Sequence, residues 1–389
     1  MDPSSAATER VRGWVRTALL AEASVEAARP PGDDLVDPAA LVAAVVRQRV
    51  VELVHAQAEA LALPAAVAES IARLRTAARE LVPLQLLELA RVREVLEDAG
   101  VRYLVVKGPA LAVQTTGDVG ARGYGDVDVL VDPRSAGQVV DLLAEHGWRS
   151  TVALPDQASW AWRRLLHTGN ELTFYGASSS VDLHWRLDPT LDALPPFAVL
   201  WERREQVEVG GLVVPTLMRA DMLAHLCFNA ARDNWRWVRS LVDIHRAARL
   251  DGVWRDPELP PMVVRGLAVT GALVGLPRSM PEAVRDRIDE LSPRRRDRLV
   301  RAAVRGEEGE ERLSEGPGSR FWSDVRYELA ASTTPRDLRR TLGTIVLPGW
   351  AVRDVTAGSA WRGVPAGMGR RTTDLTRRSL RHLSNRRGG

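Results

Sequence analysis

Apolar residues recur three and four apart through residues 8 to 95, as in LVAAVVRQRVVELV and ESIARLRTAARELVPLQLLELARVREVLEDAG, which predicts a run of amphipathic helices. Pro30, Pro31 and Gly32 divide the first helix from the second, and Pro64 sets off a long third helix that ends near Gly100. At VRYLVVK the period changes to that of a strand, which leads directly into a Gly-Pro helix start at 108 and 109. TTGDVGARGYG, with four glycines, reads as a mobile loop. DVDVLV then reads as a buried strand, RSAGQVVDLLAEHGW as an amphipathic helix closed by Gly147, and WRSTVAL as a short strand. After a Trp-rich helix, QASWAWRRLLH, the runs NELTFY and SSSVDLHWRL predict one hairpin, and EQVEVGGLVVP, with its Gly-Gly turn, predicts another. The chain beyond, as far as the tail, is helical in pattern, including a helix over SRFWSDVRYELAAS. The expectation is an α+β chain: a helical N-terminal region over 1–98, a core with a small mixed β-sheet over 99–215, a helical domain over 216–345 and an Arg-rich flexible tail over 346–389.

The candidate chemistry lies on the predicted strands. Asp126 and Asp128 are two apart, so both carboxylates face the same way from an otherwise apolar segment. Like charges so placed repel, and burial is costly unless a cation or hydrogen-bond donors neutralise them. A divalent metal is the simplest remedy; Mg²⁺ binds through one or two carboxylates plus substrate phosphates. On the hairpin strand, Asp182 and His184 share a face, with Leu183 and Trp185 on the other. As an isolated tripeptide DLH would fit an exposed strand, and the earlier D-x-D changes that balance. Composition sharpens one position: Lys107 is the single lysine among 53 basic residues. A compact ammonium is wanted there, or chance has spared it. It precedes a glycine and a helix N-terminus, a corner whose backbone donors suit phosphate.

Several separated elements together resemble one family. The order KG, an arginine at 122, GDVDVLVDP, VDLHW at 181 to 185, and later Trp237, Leu241, Asp243 and Ile244 is similar to the uncharacterised bacterial nucleotidyltransferases of the DNA polymerase beta-like superfamily. The resemblance implies a nucleotidyltransferase fold for the core and transfer of a nucleoside monophosphate from an NTP, with ATP the expected donor, to an unidentified acceptor. It implies Mg²⁺, or Mn²⁺ in its place, held by Asp126, Asp128 and Asp182, the same three being catalytic. Lys107, Gly108, Arg122 and His184 are then nucleotide-binding. Arg122 pairs with a strand carboxylate or with substrate phosphate in this reading, and His184 orients a carboxylate or touches substrate. There are two departures: Pro109 follows Gly108 where the superfamily usually has Gly-Ser, and Gln114, Thr115 and Thr116 replace an aromatic. The missing serine keeps open an alternative, a catalytically inactive protein of the same fold that binds a nucleotide or partner.

The remaining sequence mainly excludes. No apolar run is long enough to span a bilayer and the N-terminus shows no signal peptide, so cytoplasmic residence is the expectation. Cys227 falls in an apolar helical pattern and reads as a small buried hydrophobe. Zinc, serine-hydrolase and P-loop signatures are absent. The tryptophans fall mostly at helix-core spacing, which gives no strong nucleic-acid signal. The basic tail suits an acidic partner, an anionic lipid or, most simply, a solvated end. Asp118, Asp132 and His146 read as turn or helix-end residues, while His167 is the outlying histidine able to face a cleft. His225, Asn229, Arg232, Arg236 and Asp243 are candidates to line it from the helical side, each also readable as a solvated or capping group.

Overall fold

The computed structural model describes residues 3–22 and 36–308, apart from 124, 151, 178, 190–192 and 255–258, together with 327, 329 and 334–346. Nearly all of the expected Arg-rich tail, the Pro30–Gly32 break and most of the helix expected over 319–332 lie outside these residues. Seven strands make one mixed sheet: β1 (Tyr103–Val105), β2 (Asp126–Val131), β3 (Arg149–Ser150), β4 (Glu171–Tyr175), β5 (Ser180–His184), β6 (Glu205–Val209) and β7 (Leu212–Thr216). Their spatial order is β3-β4-β5-β2-β1-β7-β6. Pairing of β1 with β7 is parallel, while β3–β4, β4–β5 and β6–β7 are antiparallel. With its many helices the chain is the α+β protein that the period changes predict.

Both hairpins form where the turn residues place them. Gly210 and Gly211 carry φ of 57° and 84°, the left-handed pair a two-residue turn needs, and Val209 faces Leu212 across it. In the other hairpin Thr173 is opposite Asp182 and Glu171 opposite His184.

Two helical segments divide where the apolar periodicity runs on. The long third helix is two, Ala65–Glu80 and Val82–Asp98, with Leu81 between them. Pro83 explains the break, because its ring clashes with the carbonyl four residues back and it has no N–H to donate. Likewise LVAAVVRQRVVELV separates into Pro38–Arg47 and Val51–Ala56 around Arg49, whose φ is +58°. Conversely, helix Gly108–Thr116 keeps Thr115 and Thr116, assigned above to the loop, and their hydroxyls donate back to Leu111 O and Ala112 O, each at 2.7 Å.

The chain forms two compact units. One comprises 1–94, 104–128 and 200–311; the other comprises 95–103, 129–199 and 312–389, so β2 contributes residues to both. In the first unit, helices Arg219–Arg232 and Pro261–Leu273 pack closely: a Cβ added at Gly266 would lie 2.8 Å from Cys227 Sγ. Cys227 is fully buried and burial raises its thiol pKa above the ordinary value, consistent with a packing role. Gln48, 1% exposed, accepts from Val238 N at 2.9 Å and so caps helix Val238–Ala247. In the second unit, Trp185 is buried and its indole donates to Leu166 O and Gly169 O at 2.9 and 3.0 Å. This anchors the end of β5 against helix Trp160–Thr168.

Candidate active site

β-Branched and apolar residues drive β2 into the sheet: Val127, Val129, Leu130 and Val131 are all at most 1% exposed. Alternation then places Asp126 and Asp128 together on one face. Asp128 is buried at 5% exposure and Asp126 is partly buried. The Asp128 carbonyl accepts from Val106 N at 3.1 Å, which brings β2 beside the end of β1 and sets Lys107 next to the carboxylate. Lys107 Nζ lies 3.6 Å from Asp128 Oδ1.

Lys107 is the N-cap of helix Gly108–Thr116. Gly108 has φ of +51°, in the left-handed region that a side chain resists, and Pro109 follows in the first turn. Gly108, Pro109 and Ala110 are buried. Thr216 on β7 fixes β1 from the other side, its hydroxyl donating to Val105 O at 2.6 Å. Gln114 ties the same helix to the chain beyond β7 by donating to Leu217 O at 3.0 Å.

Asp182 and His184 extend from one face of β5, as their spacing implies, while Val181 and Leu183 are each 1% exposed. Asp128, Asp182 and His184 each offer one ligand atom within 4.8 Å of the others. Asp126 is outside that group of three. Two carboxylates and an imidazole fit a divalent cation, with oxygen donors suited to Mg²⁺ and the nitrogen better suited to Mn²⁺. His184 Nδ1 is 3.3 Å from Glu171 Oε2, and Asn170 donates to the same oxygen at 3.0 Å. Glu171 thus places a further carboxylate beside the site. Sequence reading missed it, although hairpin register places it opposite His184.

Arg122 makes a different contact from the strand carboxylate considered above. Its Nε donates to Asp243 Oδ1 and Oδ2 at 3.0 and 2.9 Å, and its Nη2 lies 2.9 Å from Oδ2. Both side chains are buried, at 9% and 4% exposure. Burial pulls the Arg122 pKa down, but Asp243, together with the fields of Asp128 and Asp126, outweighs it and leaves the group above its ordinary value. Arg239, on helix Val238–Ala247, was not singled out from sequence. It donates to Gly123 O at 3.2 Å. Burial first, then Arg122, pushes its pKa down to about 10, while Asp243 and Asp126 oppose the shift. The other helical candidates serve packing or local contacts. His225 is 1% exposed, Arg232 donates to Asn229 Oδ1 at 3.4 Å, and Arg236 lies over the Trp237 ring with Asp233 3.8 Å away.

Residues read as structural are structural. Asp118 pairs with Arg79 at 2.5 Å and accepts from Gly120 N, Asp132 accepts from Arg134 N at 2.8 Å, and His146 Nδ1 is 2.8 Å from Leu142 O. His167 is elsewhere, among arginines.

The profile of a family described as uncharacterised nucleotidyltransferase matches residues 34–256. No curated protein matches the chain. Among solved structures it is similar to the lincosamide antibiotic adenylyltransferase LnuA in its lincomycin-bound form, at 17% identity over 42% of this chain and 95% of that one, with a TM-score of 0.30. The antibiotic-resistance factor ANT(2'')-Ia is 13% identical over 60% of this chain and 96% of its own, with a TM-score of 0.27. An antigenic nucleotidyltransferase-like protein from Paracoccidioides brasiliensis is 14% identical over 58% and 93%, with a TM-score of 0.29.

Proposed function

The chain belongs to the uncharacterised nucleotidyltransferase family, and from that premise we propose that it moves a nucleoside monophosphate from an NTP, with ATP the expected donor, to an acceptor with a free hydroxyl or amine. The observation that carries this reading is the convergence of Asp128, Asp182 and His184 within 4.8 Å, with the Lys107 ammonium beside Asp128. Residues 99–215 form the catalytic core in this proposal, with helical flanks over 1–98 and 216–345 and a tail over 346–389.

Asp126, Asp128 and Asp182, with His184 at hand, would hold Mg²⁺, or Mn²⁺ in its place. Such an ion neutralises phosphate charge and polarises the reacting phosphorus. Lys107 and the amides from Gly108 onward hold the triphosphate, and Arg239 adds a cation beside Asp126. Arg122, fixed by Asp243, contributes its field to the same corner. Asp182 takes the proton from the acceptor as the new bond to the α-phosphorus forms and the bond to the departing pyrophosphate breaks. No covalent enzyme intermediate is needed: positioning and charge neutralisation supply the catalysis. Glu171 adds negative charge beside the His184 ring.

Replacement of Asp126 or Asp128 by Asn should cut metal-dependent pyrophosphate release by more than about 100-fold. A partner behind a metal ligand is itself typically worth about 10- to 100-fold, and a ligand should exceed it. Intact mass spectrometry of candidate acceptors, after incubation with mixed NTPs, should show a nucleotide-sized gain for wild type alone. Full activity in either variant ends the proposal. The binding-only alternative draws on Pro109, which stands where the superfamily has serine and brings no N–H to the corner. It predicts nucleotide-dependent thermal stabilisation without turnover on any acceptor.

A further inference from the structure

In the second unit, helix Trp160–Thr168 and helix Pro335–Val346 border a pocket of about 550 Å³, lined by Arg164, His167, Thr334, Arg336, Arg339 and Arg340. Four guanidiniums and an imidazole meet there. Among the described residues no carboxylate lines it. None of the residues proposed for nucleotide transfer belongs to it.

Structural capping accounts for part of the arrangement. Arg340 donates from Nε to His167 O at 3.0 Å and from Nη2 to Thr168 O at 3.2 Å. Arg186 donates to His167 O at 3.1 Å and Gly169 O at 3.3 Å, and Arg164 donates to Gly343 O at 2.5 Å. The end of helix Trp160–Thr168 is therefore held by cations, as its dipole favours. That dipole amounts to roughly half a negative charge, against four full positive charges on the lining. The positive excess shows in the residues themselves. Burial first, then Arg340 and Arg336, pushes the Arg186 pKa down to about 10. Arg164 is lowered by burial and Arg340, and His167 by burial and then by Arg340, Arg186, Arg164 and Arg336. Beyond the caps, Arg336 and Arg339 add exposed guanidiniums to the same lining, and a multiply charged anion is the ligand complementary to them.

We infer that this pocket is a phosphate-binding site, one that takes a phosphate or diphosphate group through paired guanidiniums independently of the strand carboxylates. Arginine is suited to this because its planar fork meets two phosphate oxygens at once. The first turn of helix Pro335–Val346 begins at the same pocket, so its dipole acts in the same direction as the side chains. His167, largely neutral near pH 7 with its pKa lowered, can still donate one hydrogen bond. The ligand is a free polyphosphate anion or the phosphate of a phosphorylated metabolite, and the chemistry recognised is the same.

The probe is inorganic pyrophosphate, titrated calorimetrically into the full-length chain in EDTA, with glucose 6-phosphate as a second arm for an esterified phosphate. Wild type should bind at one saturable site that weakens with added salt. Arg336 and Arg339 are exposed, so the double variant Arg336→Ala/Arg339→Ala should keep its circular dichroism and melting temperature. It should lose at least about tenfold in affinity, the weight of one charge-assisted hydrogen bond. Arg134→Ala, which removes an exposed arginine outside the pocket, should bind as wild type does. Absence of saturable binding to either probe overturns the inference. So does binding of undiminished affinity in the arginine double variant, which would place the anion outside this pocket. Because metal and NTP are absent, this outcome is independent of whether nucleotide transfer itself is demonstrated.

Discussion

Charges in this protein are arranged in two ways. In the helical flank they are matched: Glu52 lies between Arg75 and Arg79, each at 3.1 Å, Arg79 continues to Asp118, and Arg246 meets Glu22 at 2.5 Å. The buried Arg122–Asp243 pair is of this kind. Elsewhere like charges gather, acids at Asp128 and Asp182 and arginines around His167. A matched pair satisfies itself and holds helices in place. A concentration of one sign favours a ligand of the other, so the first arrangement reads as scaffold and the second as binding surface. Arg122 is the instructive member, because its family-like position suggested a phosphate contact while its partner shows a buried structural pair whose field still reaches the strand.

The strongest way to break this distinction is at that pair. Arg122→Ala leaves Asp243 buried without its cation, and removing one member of a buried pair costs about 3–5 kcal/mol. Chemical denaturation should therefore show a large loss of stability. The apolar double variant Arg122→Met/Asp243→Leu should recover most of it, since both charges of the pair are then gone and Arg239 is relieved of Arg122 as it loses Asp243. If Arg122→Ala is as stable as wild type while activity falls, Arg122 is a substrate ligand and the pair is not scaffold.

The strands and the faces their acids occupy were legible because the relevant signals are local. Period two puts Asp126 with Asp128 and Asp182 with His184, and Gly-Gly fixes the turn between β6 and β7. A face is not a distance, however. Nothing local tells that Asp128, Asp182 and His184 form a group that excludes Asp126, or that Arg122 reaches Asp243 across 121 positions. Glu171 was recoverable, because hairpin register counts it opposite His184. Arg239 was not, since its place depends on how helix Val238–Ala247 is rotated. The arginine pocket was hidden because Arg336, Arg339 and Arg340 fall in a stretch that reads as ordinary amphipathic helix. His167 alone hinted at it, and was linked to a cleft of another kind. Pro83 was visible and underweighted: the apolar period around it is continuous, but the missing N–H decides.

A smaller effect is expected at Gly108, where backbone rather than charge shapes the corner. With φ of +51°, alanine there should cost about 1–2 kcal/mol, the penalty for a side chain in the left-handed region. The melting temperature should fall accordingly. If the Lys107 corner holds the triphosphate, KM for NTP should rise in the same variant. An unchanged melting temperature would mean that the corner relaxes into another conformation at no cost.

The smallest effect concerns pH, and tests whether matching extends to a titrating group. His245 is 3% exposed, with Nδ1 2.9 Å from Gly275 O. Burial lowers its pKa below 6.5, with Arg249 and Arg246 acting in the same direction and Glu22 and the Gly275 contact against it. The folded chain thus resists a proton that the unfolded chain accepts. Stability is fully present above the unfolded value of 6.5 and declines as pH falls from there toward the lowered folded value. His55 and His167 are lowered too and add to the same slope, so the decisive comparison is between wild type and His245→Gln. Denaturation midpoints between about pH 7.5 and about pH 5 should drop less steeply in the variant. Equal slopes would mean that Glu22, already engaged with Arg246 and Arg249, redirects to the imidazolium and matches it as completely as it matches the arginines.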